Sequence, residues 1–193
     1  MSGIMVDIDG VLADFVYGFT MLGSEMFGLP VKRNGEQEDW SWSGSGWCTP
    51  AQENWIWEAL KASPTFWRSL PTLPNVGKPD LSLVASEHLR YPLVFVTSRP
   101  GLTAWRQTVD WLEERGIMEP LVVRTTRDLR KPTICRSLGL SAAIEDSPSQ
   151  LEELYKAGIE TVKVRWPYNR EARAWDTVSS LGEALYRFDV GVE

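Results

Sequence analysis

The chain is poor in the residues that would point to several common functions. It has two cysteines, one histidine and a formal net charge of -6. Cys48 and Cys135 lack metal-site spacing and read as free thiols of a reducing cytoplasm. His88 falls on an expected surface helix, where no catalytic role is expected of it. No apolar run approaches the roughly 20 residues that a membrane span needs. Met1-Ser2-Gly3 leads straight into the first apolar run, so no signal peptide is expected either. The acidic balance leaves no basic footprint for duplex nucleic acid. A small anionic ligand stays open, because local lysines, backbone amides and a metal set the field at a site. No internal repeat is visible.

What is present is an ordinary globular composition, 43% hydrophobic and 24% charged over 193 residues. That length fits one domain with room for a small insertion. Apolar runs at Ile4–Val6, Pro92–Val96, Leu121–Arg124, Ser141–Ile144 and Thr161–Val164 read as strands. Between them, helices are expected over Asp14–Phe27, Pro79–Leu89, Leu102–Arg115, Lys131–Leu138 and Pro148–Ala157. Alternating strands and helices predict an α/β fold, a parallel sheet flanked by helices. Residues 32–73 interrupt the alternation with a polar, Gly/Ser-rich stretch and a further helix over Ala51–Leu60. They read as a small, mainly helical cap inserted after the first strand-helix unit. Residues 1–31 and 74–193 would then form the core domain.

The most pointed signal is Val6-Asp7-Ile8-Asp9-Gly10-Val11-Leu12-Ala13-Asp14-Phe15. Side chains two apart on a strand face the same way, so Asp7 and Asp9 crowd together where the first strand ends. Gly10 allows the backbone to turn tightly there. Two like charges in one place need a proton or a cation. Hard oxygen ligands favour magnesium. The plainer reading makes the same acids the start of a surface turn. Asp14 reads either as a site residue or as a favourable charge at a helix start.

Asp7-Ile8-Asp9-Gly10 resembles motif I of the haloacid dehalogenase-like phosphatases, whose later motifs can be sought in order. Thr97, in Thr97-Ser98-Arg99-Pro100, resembles motif II. Lys131 resembles the motif III lysine, with Arg130 as the alternative. Glu145-Asp146 resembles the acidic pair of motif IV. Within that superfamily, Asp9–Phe15, Phe66–Val76, Thr97-Ser98 and Arg124–Asp128 resemble the 5'(3')-deoxyribonucleotidases. The similarity runs along most of the chain. This sequence departs from that subfamily by Glu145 in place of an aspartate and by Arg99 ahead of Pro100.

The resemblance implies a Rossmann-like core and a magnesium-dependent phosphomonoesterase acting on nucleoside monophosphates, with deoxyribonucleotides favoured. It implies Asp7 as nucleophile, forming an aspartyl-phosphate, and Asp9 as general acid and then base. Thr97 and Ser98 would hold the phosphoryl oxygens, and Lys131 would pair with Asp7 and the phosphate. Asp7, the Asp9 carbonyl and Asp146 would hold Mg2+, with Glu145 bound more weakly through water. Gly10 and Arg99 would line the substrate site; by its position alone Arg99 is open either to phosphate or sugar or to solvent. A cytoplasmic setting follows, and a homodimer is left open.

Tryptophan carries a second signal. Ten are present, six of them between Trp40 and Trp67, which is more than a small cap can readily bury. Indoles exposed in a cleft stack on nucleobases. Phe66-Trp67 matches the aromatic pair of the nucleotidases, with Phe15 and Phe19 as the opposite wall. The plain alternative is that these rings pack the cap. A polynucleotide-end phosphatase and a phosphatase of another small metabolite are the competing activities.

Overall fold

A strand covered on both faces has no polar face to present, and Gly3–Val6 is buried at every position. In the computed structural model, which describes residues 3–85 and 92–188, this run is β1. It lies inside a six-stranded sheet with β2 (Leu93–Thr97), β3 (Val122–Arg124), β4 (Leu140–Glu145), β5 (Glu160–Val164) and β6 (Asp176–Val178). The strand order is β3-β2-β1-β4-β5-β6, and every pairing is parallel. Helices α1 (Phe15–Phe27), α2 (Pro50–Ala62), α3 (Phe66–Ser69), α4 (Lys78–Val84), α5 (Ala104–Glu113), α6 (Lys131–Leu138), α7 (Pro148–Lys156) and α8 (Leu181–Arg187) complete the α/β architecture.

The order matters for function. The chain builds outward from β1 to β3, then returns to β1's other side for β4. Ligands of such sheets bind beyond the carboxyl ends of the strands where the order reverses. Val6 pairs with both Phe95 and Ile144, so β1, β2 and β4 end side by side. Asp7, Thr97 and Glu145 therefore meet at one edge.

Helix ends follow ordinary capping chemistry. Asp14 is fully buried; its carboxylate accepts from Tyr17 N at 3.1 Å and from Arg33 Nη1 at 3.2 Å. It is the N-cap of α1, which answers the choice left open by the sequence. Thr49 and Gln52 form a reciprocal capping box on α2, with Pro50 at the first helical position. Gly139 ends α6 in the left-handed conformation.

Residues 32–73 bring α2 and α3 onto α1 and α5. Ile56 and Leu60 of α2 are buried. Phe19 stacks on Trp42 at 4.4 Å, and Phe15 on Trp67 at 5.7 Å. In α3, the Trp67 amide donates to Gln107 Oε1 at 2.8 Å and its indole N–H to Pro100 O at 3.0 Å.

Two elements escape the sequence pattern. β6 has three residues, of which only Val178 is buried, so it shows no alternation. α8 follows it and packs Leu181, Ala184 and Leu185 inward. The helix expected over 79–89 is described as α4; its remainder, with His88, lies outside the described residues. Trp67 is 2% exposed and has both of its N–H groups paired. Trp67→Ala should therefore cost about 3–5 kcal/mol of stability, as for other large buried aromatics, measured by chemical denaturation.

Candidate active site

The backbone leaves β1 through Asp7, and the side chain is buried at the sheet edge. Lys131, the first residue of α6, reaches back to it. Its Nζ donates to Asp7 Oδ1 at 2.5 Å and to Glu145 Oε2 at 2.6 Å. Lys131 is itself 2% exposed. Arg130 points elsewhere and pairs with Glu153 on α7, so the buried lysine position belongs to Lys131.

Glu145 is fully engaged. Besides Lys131, its Oε1 accepts from the amides of Asp146 at 3.1 Å and Ser147 at 2.9 Å. Asp146 is not. Its Oδ2 accepts from the Tyr168 hydroxyl, while its Oδ1 is buried with no partner among the described residues. Ligand oxygens of Asp7, Glu145 and Asp146 lie within 4.8 Å of one another.

Burial, and then the charge of Glu145, push the Asp7 carboxyl up to about 7 against the pull of Lys131. Burial and the same neighbours hold Asp146 well above the usual carboxylate range. For Lys131, burial opposes the charge, but Asp7 and Glu145 outweigh it and the ammonium is stabilised. Such a cluster is short of positive charge. An orphaned carboxylate oxygen, an all-oxygen donor set and this deficit fit a hard divalent cation. The space is tight: a Cβ on Gly10, whose φ is +83°, would fall 1.9 Å from Asp146 Oδ2. Only glycine suits this turn.

Asp9 lies on the open side. Its carboxylate is gripped by Arg99, through Nε to Oδ2 at 2.9 Å and Nη2 to Oδ1 at 2.8 Å. Asp7, Asp9, Ser98, Arg99, Lys131, Glu145 and Asp146 all line one cavity of about 230 Å3. Thr97 is buried beneath it, with its hydroxyl 3.3 Å from the Arg99 amide. Ser98 is exposed, and its hydroxyl accepts from Thr125. A second cavity of about 340 Å3 adjoins the first. It shares Asp9, Phe15, Trp40, Trp57 and Asp146 and adds Gly10, Trp42 and Tyr168.

The aromatic expectations are redistributed. Phe19 is fully buried, and Phe66 and Trp67 are 8% and 2% exposed. Phe66 and Trp67 meet edge to face at 5.0 Å within the core cluster. The rings that line both cavities are Phe15, Trp40 and Trp57; Trp67 lines the smaller one, and Trp42 and Tyr168 the larger. Arg99, open by its sequence position to phosphate, sugar or solvent, is turned onto Asp9.

The sequence reading also passes over a clasp formed after β5. Trp166 donates its indole N–H to Gly10 O at 2.7 Å. Asn169 donates to Asp146 O at 2.8 Å, and Asn34 donates to Tyr168 Oη at 2.9 Å. By its sequence the Trp166-Pro167-Tyr168-Asn169 run reads only as a loop after the strand at Thr161–Val164. Its one hint was the density of hydrogen-bonding aromatics directly after a strand end.

Comparisons with known proteins bear on the family and the fold. Residues 1–187 match the sequence pattern of the family described as 5' nucleotidase, deoxy (pyrimidine), cytosolic type C protein. A Chlorobaculum tepidum protein, provisionally named a 5'(3')-deoxyribonucleotidase, is 28% identical over 94% of this chain and 90% of its own. A haloacid dehalogenase-like hydrolase of Streptococcus pneumoniae superposes with a TM-score of 0.64 at 17% identity, covering 97% of this chain and 98% of that one. A second such hydrolase, from Deinococcus radiodurans and solved with phosphate and sodium, gives 0.62 at 12% identity, covering 97% and 95%. At these identities the structures speak for the fold.

Two outcomes follow. An unfolded aspartate carboxyl ionises near 3.8, whereas burial holds the folded Asp7 proton to about 7. The metal-free protein should lose stability as pH rises through that window. Magnesium should raise the melting temperature more at pH 8 than at pH 5, measured by thermal melts. Tyr168→Phe removes the donor to Asp146 and should weaken magnesium binding by about 10–100-fold, read by calorimetric titration.

Proposed function

The chain belongs to the 5' nucleotidase, deoxy (pyrimidine), cytosolic type C family of phosphate monoester hydrolases, and on that premise we propose that it dephosphorylates nucleoside monophosphates, deoxyribonucleotides above all, with magnesium and through an aspartyl-phosphate on Asp7. The observation that carries the proposal is the buried Asp7–Lys131–Glu145 pairing beside an unpartnered Asp146 oxygen, opening onto an aromatic cavity.

Lys131 holds Asp7 in place and offsets its charge, so that an anionic phosphoryl group can approach it. Asp7 attacks phosphorus in line with the leaving oxygen. Asp9 faces the same cavity, donates a proton to that oxygen and later takes one from the hydrolytic water. Ser98 stands at the cavity wall, where its hydroxyl or amide can receive a phosphoryl oxygen. A magnesium ion held by Asp7, the Asp9 carbonyl and Asp146 would supply positive charge against the phosphoryl oxygens. Glu145, already saturated by Lys131 and two amides, suits a supporting role.

The base is assigned to the second cavity, against Trp40 and the cavity side of Trp57, which itself stacks on Phe15 at 5.7 Å. This moves the stacking surface from the buried Phe66-Trp67 pair to rings that line the cavity. Residues 32–73, which supply Trp40 and Trp57, act in this reading as the substrate-selecting cap. The family name, two free buried cysteines and the lack of a helix able to cross a membrane among the described residues support a cytoplasmic setting.

One observation favours a second reading, an end phosphatase for polynucleotides. An open cleft of about 760 Å3 runs from Ser98 and Arg99 past Lys61, Arg124 and Arg127. These cations could follow a strand backbone.

Asp7→Asn should abolish turnover of a folded protein, and chelation should stop the wild type until magnesium is returned. An assay panel of nucleoside monophosphates, sugar phosphates and phosphorylated oligonucleotides separates the readings. Trp57→Ala should raise KM for nucleotides by the roughly 1–3 kcal/mol of a lost stack. It should spare a small ester that carries no base. Equal losses on both substrates would return Trp57 to a packing role.

A further inference from the structure

Four carboxylates and two cations make up the charged lining of the smaller cavity. Lys131 serves Asp7 and Glu145. The other cation, Arg99, serves Asp9 alone. Resting on the phosphatase reading above, we propose that Arg99 is a positioning residue that keeps Asp9 out of the metal's reach and aims it at the leaving-group oxygen.

The argument starts from how firmly Arg99 is held. Its side chain is fully buried. Nη1 donates to Thr108 Oγ1 at 3.1 Å, and that hydroxyl donates onward to Ala104 O at 2.7 Å. The guanidinium lies 4.9 Å from the Trp67 ring centre and 5.8 Å from that of Trp111. Trp67 is fixed in turn by Pro100 and Gln107. An arginine held by Thr108, Asp9 and two indoles is not free to swing toward substrate. Its remaining donors form a planar fork on both oxygens of Asp9, the geometry that best locks a carboxylate in one orientation.

The consequence is a division of labour among like groups. Asp9 stands two residues from Asp7 and shares its cavity with Glu145 and Asp146. Carboxylates are the preferred ligands of magnesium. A free Asp9 would become a further ligand, and a ligating carboxylate is not available to carry a proton. The Arg99 fork occupies both oxygens of Asp9 instead. In the proposed first step the Asp7 Oδ–P bond forms as the P–O bond to the leaving group breaks, and Asp9 passes its proton to the departing oxygen. Water then attacks phosphorus, the Asp7 Oδ–P bond breaks, and Asp9 takes the water's proton. Both steps need Asp9 at one fixed place.

The test uses Arg99→Met, Arg99→Lys and Asp9→Asn in the full-length protein, with two readouts. Calorimetric titration with magnesium alone should give Arg99→Met a dissociation constant no higher than that of the wild type, because a freed Asp9 adds negative charge. Turnover of a nucleoside monophosphate, whose leaving oxygen needs a proton, should fall by about 10²–10⁴-fold. The single-turnover burst of p-nitrophenol from p-nitrophenyl phosphate, whose leaving group needs no proton and which reports the first step alone, should fall much less. Arg99→Lys, which keeps the charge without the fork, should show the same split. If Arg99→Met fails to fold, Thr108→Val loosens the cage and should give a smaller split of the same sign. Equal losses on both substrates would overturn the proposal, as would magnesium binding weakened by about tenfold or more. A wild type that hydrolyses neither substrate would instead sink the phosphatase reading. An Asp9→Asn split without an Arg99 split would sink only this inference.

Discussion

A single buried ammonium, that of Lys131, holds the site together. It sits between Asp7 and Glu145, all three of them out of water. Taking such charges from water is costly, and the pairing recovers the cost only if geometry and further hydrogen bonds are good. Both conditions are met at Glu145, which also accepts from two backbone amides. They are only half met at Asp7 and Asp146, whose carboxyls are consequently hard to ionise. The fold thus stores an unsatisfied demand for positive charge at the edge of its sheet. A divalent ion and an anionic substrate can meet there because one supplies what the other lacks.

The sheet is what makes this demand possible. Three adjacent strands end together, and each delivers one group, Asp7, Thr97 or Glu145, to the point where strand order reverses. Helices then bring the counter-charges: α6 opens with Lys131, and the turn after β2 carries Arg99. The 32–73 segment adds aromatic walls, Trp40, Trp42 and Trp57, to the cavities.

Most of the floor was legible in the sequence. The Asp-x-Asp-Gly turn, the Thr97 strand end, Lys131 and Glu145-Asp146 each carry a local pattern, and strand ends bring them together without further information. The α/β alternation was legible for the same reason, since β1, β2 and β4 are near-continuous apolar runs. The rest depends on long-range packing. Nothing local says that Arg99 turns inward to Asp9 rather than outward to solvent; that is decided by Trp67, Thr108 and Trp111 from other elements. Nor does any pattern reveal that Tyr168 and Asn169 close over Asp146, or that Phe66 and Trp67 are buried while Trp57 faces the cavity. β6 was missed because an edge strand of three residues with one buried side chain has no period to read.

The central claim is that Asp7, pinned by Lys131, is the group that attacks phosphorus. It is tested most directly by mixing the protein with magnesium and a nucleoside monophosphate carrying a labelled phosphate, quenching in acid within one turnover, and mapping the label by peptide mass spectrometry. The account predicts phosphate on the peptide that contains Asp7, and none on the same peptide from Asp7→Asn. Hydrolysis that proceeds at full rate with no label on Asp7, and with water oxygen entering the phosphate in a single step, would contradict it.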